Sequence, residues 1–151
     1  MRMRKILLML AFALACFHAA AQDQFFKNYA NVKGVTTVYI SKSMLSLMPK
    51  ITVGKKQLGQ PSKKIDQLSI LTCEQPSTAV SIATKAQAYY RRNSYEEMMQ
   101  INDDGEKTII YMKRHPKGRN EFVLLSQASD EMTIINVLGT LSLNDIRQFT
   151  Q

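Results

Sequence analysis

This 151-residue chain has little cysteine and little histidine: Cys16 and Cys73, His18 and His115. No Cys-x-x-Cys pair exists, which removes the usual dithiol redox centre. A structural zinc site takes about four Cys, His or carboxylate ligands at recognisable spacing, and one His with one distant Cys does not supply them. The Gly-x-Ser-x-Gly context of a serine nucleophile is missing. The acidic run Asp103-Asp104-Gly105-Glu106 lacks the alternating oxygen ligands, spread over about 12 residues, that a calcium loop uses. There is no internal repeat, no low-complexity tract and no stretch of the roughly 20 apolar residues that a membrane-spanning helix needs. These absences leave no catalytic residue, metal ligand or cofactor site to name, and the chain reads as a non-enzyme.

What is present starts at the N-terminus. Met1-Arg2-Met3-Arg4-Lys5 is basic, Ile6 to Phe17 is apolar, and Ala19-Ala20-Ala21 supplies small residues ahead of Gln22. This is the three-part layout of a secretory signal peptide over residues 1–21. Cleavage after Ala21 leaves residues 22–151, the size of one ordinary domain, placed in the periplasm or secreted. A competing site is Ala13-Leu14-Ala15-Cys16, a loose lipoprotein box that would tether the chain through a lipid on Cys16. It departs from such boxes at Ala13, where Leu is usual. Loss of Arg2, Arg4 and Lys5 with the signal lowers the net charge from +8 to +5. Cys73 then stands alone and can form no internal disulfide. After the strand-like Ile70-Leu71-Thr72 it reads as a small buried residue.

Periodicity supplies the elements. Phe25, Phe26, Tyr29 and Val32 recur at helical spacing over residues 23–33, and Gly34 stops that helix. Val35 to Ile40 is β-branched and aromatic, a strand. Ser41 caps a short helix from Lys42 to Met48. Residues 50–64 read as a loop with a short strand at Ile51-Thr52-Val53. Ile65 to Cys73 is a strand, Pro76 to Arg92 a long helix, and Asn93 its stop. Four strands follow: Tyr95 to Ile101, Thr108 to Lys113, Glu121 to Gln127, and Met132 to Leu138. Asp104-Gly105 marks a tight hairpin between the first two. Ser142 caps a last helix, Leu143 to Phe149. The order α-β-α-β-α-β-β-β-β-α implies an α+β fold, with helices packed on one face of a mainly antiparallel sheet.

Two basic loops stand out. Lys55, Lys56, Lys63 and Lys64 lie in a stretch without acids, and Arg114, Lys117 and Arg119 flank His115. Brought together they would attract anions. The partners this suggests are an envelope protein, an anionic glycan or a lipid headgroup; nucleic acid does not suit an exported domain. Tyr89, Tyr90 and Arg91 could add stacking contacts, although a core ring with a polar rim is the plainer reading. The mature methionines, such as Met44 and Met48, read mainly as core filler. A hydrolase using His115 is the least favoured alternative, because active sites built from distant residues leave no local motif.

Several segments carry a family resemblance. Val35-Thr36-Thr37-Val38-Tyr39-Ile40-Ser41-Lys42-Ser43-Met44-Leu45 resembles the opening of the secreted Bacteroidetes family DUF4252, a domain of unknown function. Ile65-Asp66-Gln67-Leu68-Ser69-Ile70-Leu71, Tyr95-Glu96-Glu97-Met98-Met99 and Gly139-Thr140-Leu141-Ser142-Leu143-Asn144-Asp145-Ile146 fit the family in order. The resemblance implies a fold more than an activity, and offers no catalytic residues to carry over. Beyond fold it implies a role in envelope signalling, alongside extracytoplasmic sigma factors. The intact mass of the protein isolated from its native cells checks the exported reading. A chain starting at Gln22 is expected, whereas a lipid-bearing Cys16 would establish the tethered form instead.

Overall fold

The computed structural model describes residues 21–48, 51–53, 56–58 and 63–150. The chain divides into two units, Met1–Lys33 and Gly34–Gln151. In the first, helix α1 spans Ala21–Lys27. Phe25 packs against Phe26 and Tyr29, with ring centroids 6.3 and 5.2 Å apart. The helix is shorter than its periodicity suggests. Past Lys27 the backbone continues in turns, with Tyr29 N–H bonding to the Phe26 carbonyl and Val32 N–H to that of Tyr29.

The second unit runs β1 (Val35–Ser41), α2 (Lys42–Leu47), β2 (Ile51–Val53), β3 (Lys56–Leu58), β4 (Ile65–Cys73), α3 (Pro76–Arg92), β5 (Glu96–Asp103), β6 (Glu106–Arg114), β7 (Asn120–Gln127), β8 (Met132–Gly139) and α4 (Leu143–Thr150). Six strands form one sheet in the order β1-β4-β8-β7-β6-β5, every pair antiparallel. The α+β class and antiparallel sheet agree with the reading from sequence. The addition is a separate hairpin, β2 with β3, pairing Ile51 with Leu58. Lys56–Leu58 carries two polar residues out of three, so no hydrophobic pattern marks it as a strand.

Local chemistry accounts for the boundaries. The Ser41 hydroxyl accepts the Met44 N–H and opens α2. Pro76 sits in the first turn of α3, where its missing N–H costs nothing, and the Asn93 side chain closes the far end on the Tyr89 carbonyl. Asp104 and Gly105 both have positive φ, 45° and 82°, the pairing that a two-residue hairpin turn requires. Ser142 and Asp145 form a reciprocal cap. The Asp145 N–H bonds to the Ser142 hydroxyl, while the Ser142 N–H bonds back to the Asp145 carboxylate.

Register sorts the strand residues into two faces. One face carries Tyr111, Val123, Asn136 and Ser69 in a row, with Ile109, Leu125, Ile134 and Leu71 beside it. Helix α3 covers this face with Ala79, Ile82, Ala83, Ala86 and Tyr90. Val80 is exposed, because the buried stripe runs through Ala79 and Ala83. Cys73 is fully buried, as its context suggests. The opposite face carries three rows: Ile40-Leu68-Val137-Phe122-Met112, then Val38-Ile70-Ile135-Leu124-Ile110-Met99, then Thr36-Thr72-Thr133-Ser126-Thr108-Ile101. Leu45 of α2, Leu141 in the segment before α4 and Ile146 of α4 pack on the first row.

Helix therefore lies on both faces rather than on one. The cause is legible in Ile109-Ile110-Tyr111-Met112, four buried residues in succession on β6. A strand buried on both sides needs cover on both sides. The methionines divide: Met112 and Met132 are buried, whereas Met44 and Met99 are exposed.

Gly139 ends β8 where the chain passes close to Lys64. A Cβ there would drive into the Lys64 backbone carbonyl, which also accepts the Thr140 N–H. Gly139→Ala is expected to cost about 2 kcal/mol or more in urea unfolding, since backbone must move to make room. A loss below about 0.5 kcal/mol would show that the close approach does not constrain the fold.

Candidate functional site

The end of the sheet where β4 begins, β6 turns into β7 and β8 leads into α4 collects most of the charged side chains singled out in the sequence. Asp66, second residue of β4, organises it. One carboxylate oxygen accepts from Lys42 Nζ at 2.8 Å and the other from Arg119 Nε at 2.9 Å. These bonds join the start of α2, the start of β4 and the β6–β7 turn. Lys64 reaches across to Asp145 at 2.9 Å, linking β4 to the first turn of α4. Asn120 Nδ2 donates to the Leu141 carbonyl at 2.8 Å and ties the same turn to the segment before α4.

The structure thus unites the loops that the sequence shows separately, and it pairs several of their cations. Arg119 and Lys64 are each bonded to a carboxylate. Lys63, Arg114 and Lys117 are exposed and form no ion pair among the described residues. Lys56 stands on β3, and Lys55 lies outside the described residues. Lys42, which the sequence reading did not single out as a site residue, belongs to the cluster through Asp66. Its partner lies 24 residues away, so only the β1–β4 pairing brings the two together.

The carboxylates respond to their cations. The Lys42 hydrogen bond, helped by the charge of Arg119, holds the Asp66 carboxyl below its usual range. Asp145 is lowered to about 2, first by the backbone and side-chain bonds of Ser142 and then by Lys64.

A second cluster lies beside this end, on the face that α3 covers. Glu121 is buried and fully used. One oxygen accepts from the Tyr95 hydroxyl at 2.8 Å and Asn136 Nδ2 at 2.7 Å; the other lies 2.7 Å from His115 Nε2. Burial and the Glu121 charge keep Tyr95 protonated far above its ordinary range, so it donates. The same two causes push Tyr89 up to about 12. Lys113 lies 5.2 Å from the centre of the Tyr95 ring. Tyr90 is buried against Tyr95 and Tyr111, with ring centroids 5.0 and 5.1 Å away.

His115 is half-buried, its Nε2 2.7 Å from the Glu121 carboxylate. Tyr90 is a core ring, the plainer reading of Tyr89, Tyr90 and Arg91. Glu121 itself gave no signal, because an acid at the start of a strand reads as a solvent-facing residue until its partners are known. Among the described residues no three His, Cys, Asp or Glu side chains gather as a metal site. None of their helices is long and apolar enough to cross a membrane.

A six-stranded antiparallel sheet carrying helix on both faces and a cation-rich end defines a compact α+β module. Residues 29–149 match the family described as "Domain of unknown function (DUF4252)", and the chain belongs to it. No curated protein matches the sequence.

The Ser142, Lys64 and Asp145 contacts make stability pH-dependent. A carboxyl whose pKa falls on folding adds stability that is present above its unfolded value, near 3.8, and lost as the pH drops toward 2. Asp145→Asn is expected to lower Tm at neutral pH by a few degrees and to flatten the fall in Tm between about pH 4 and pH 2. An unchanged acid slope would show that Asp145 carries none of this dependence.

Proposed function

We propose that this chain is an exported, non-enzymatic interaction domain of the bacterial cell envelope, and that it meets an anionic partner through the cation-rich end of its sheet. The observation carrying this reading is the Asp66 bridge. Asp66, two residues past Lys64, holds Arg119 and so joins the end of the first basic loop to the second, with Lys42 on the same carboxylate. Lys63, Arg114 and Lys117 remain exposed around it, and a cluster of like charge attracts anions at a distance limited by salt screening. The basic, apolar and small-residue layout of residues 1–21 supports export. Family membership is compatible with a role in envelope signalling and contributes no activity of its own. The Glu121 cluster serves as a satisfied polar support under this end: each of its donors meets the buried carboxylate, which removes the penalty of an unpaired charge.

Elution from immobilised heparin tests the charged surface. The variant Lys63→Ser/Arg114→Ser/Lys117→Ser keeps every ion pair described above and is expected to fold. It is expected to elute at markedly lower salt than the native chain. Equal elution would contradict the reading. Mild crosslinking in native cells is expected to recover a specific envelope component with the native chain and lose it with the variant.

A further inference from the structure

The six-stranded sheet ends in two unlike edges. β5 carries Glu96, Glu97 and Asp103, and its pairing with β6 slips between Glu97 and Met99. Charge and a bulge are common protections of an edge strand against pairing with another chain. β1 has neither. Val35-Thr36-Thr37-Val38-Tyr39-Ile40-Ser41 holds no charge and no proline, and its register with β4 is unbroken over all seven residues. Among the described residues no strand pairs with its outer side, and β2 and β3 pair with each other instead.

Exposed apolar surface gathers at the same edge. Among the described residues nine large apolar side chains are exposed, and four of them, Val38, Tyr39, Met44 and Leu47, fall on β1 and on the helix α2 that follows it. Tyr39 is 63% exposed and Leu47 77%. Alternation along the strand puts Thr37 and Tyr39 on the α3 face, in register with Leu71 and Ser69, and Val38 on the other, in register with Ile70. An edge with unpaired N–H and C=O groups and apolar flanks is a template for another strand.

We propose that β1 pairs antiparallel with β1 of a second copy of this chain, joining two sheets across a two-fold axis at Val38. Val38 then lies opposite Val38 of the second copy, Thr37 opposite its Tyr39, Thr36 opposite its Ile40 and Val35 opposite its Ser41. Each pair is an even number of residues apart, so every side chain meets one on its own face. The Tyr39 ring lies beside β-branched Thr37 on both sides of the axis, a favourable cross-strand pair. Charge favours a second copy as the occupant. The strand is uncharged, so two copies meet without like charges across the seam, and Lys42 just past its end is already held by Asp66. β5, charged and bulged, offers no matching edge, so pairing closes at two copies rather than running on into a filament. The pairing uses none of Lys63, Arg114 and Lys117 and stands apart from the anionic recognition proposed above.

Sedimentation velocity over a dilution series tests it. The native chain is expected to sediment as a dimer that dissociates on dilution. Val38→Lys sets like charges opposite one another at the axis and is expected to weaken the dimer about tenfold or more, while circular dichroism stays native. Val38→Asp is expected to do the same. An equimolar mixture of the two variants is expected to dimerise again, which a variant that merely misfolds would not do. Tyr39→Ser, at a largely exposed position, is expected to weaken the dimer without disturbing the core, and Ile101→Lys on β5 to leave it unchanged. A native chain that stays monomeric throughout would overturn the proposal and leave the edge to a strand of another protein. A dimer indifferent to Val38→Lys, or one that the mixture fails to restore, would overturn it as well.

Discussion

Burial of β6, β7 and β8 on both sides is the constraint from which the rest of this structure follows. Ile109 and Tyr111 point to one face of the sheet while Ile110 and Met112 point to the other, and the neighbouring strands match them in register. Each buried apolar side chain of this size contributes about 1.5–3 kcal/mol relative to exposure, so neither face can be left to water without a large loss. The 17-residue helix α3 covers one face, and its small residues Ala79, Ala83 and Ala86 let it lie close to the strands. Among the described helices, the six-residue α2 and the eight-residue α4 pack on the other face.

Polar contacts then decide how the strand ends meet. Asp66 has two cationic partners from different segments, Lys64 and Asn120 reach partners 81 and 21 residues away, and Ser142 caps α4 locally. These pairs are partly exposed, so each contributes a modest amount and is weakened by salt. Their value lies in position: they bring the cations of separate loops to one end of the sheet. Glu121 works differently. It is buried, and Tyr95, Asn136 and His115 are there to satisfy it, so removal of any donor exposes a cost that the intact cluster hides.

Much of this is legible in the sequence. Ile65–Cys73 and Pro76–Arg92 fall where the hydrophobic period, Pro76 and Asn93 place them, because the signals that define them are local. The Ser41 and Ser142 caps and the Asp104-Gly105 turn are local too. The hairpin strand Lys56–Leu58 was not legible, since three residues with two polar side chains carry no period. Two-sided helix cover is signalled by the unbroken apolar run in β6, whereas the order of elements suggested helices on a single face. The site was half-legible. Its cations are visible as runs of Lys and Arg, whereas the Asp66 bridge spans 24 residues to Lys42 and 53 to Arg119. Glu121 depends on Tyr95 and Asn136, 26 and 15 residues away, which only strand register brings within reach.

The central claim is that recognition happens at the cation-rich end of the sheet. Amide chemical-shift mapping by NMR, as a heparin oligosaccharide is added, tests it most directly. The account predicts saturating shifts at Lys63, Lys64, Arg114, Lys117 and Arg119, with little change along Ala79, Ala83 and Ala86. Shifts confined to the α3 side, or spread evenly over the surface, would contradict it.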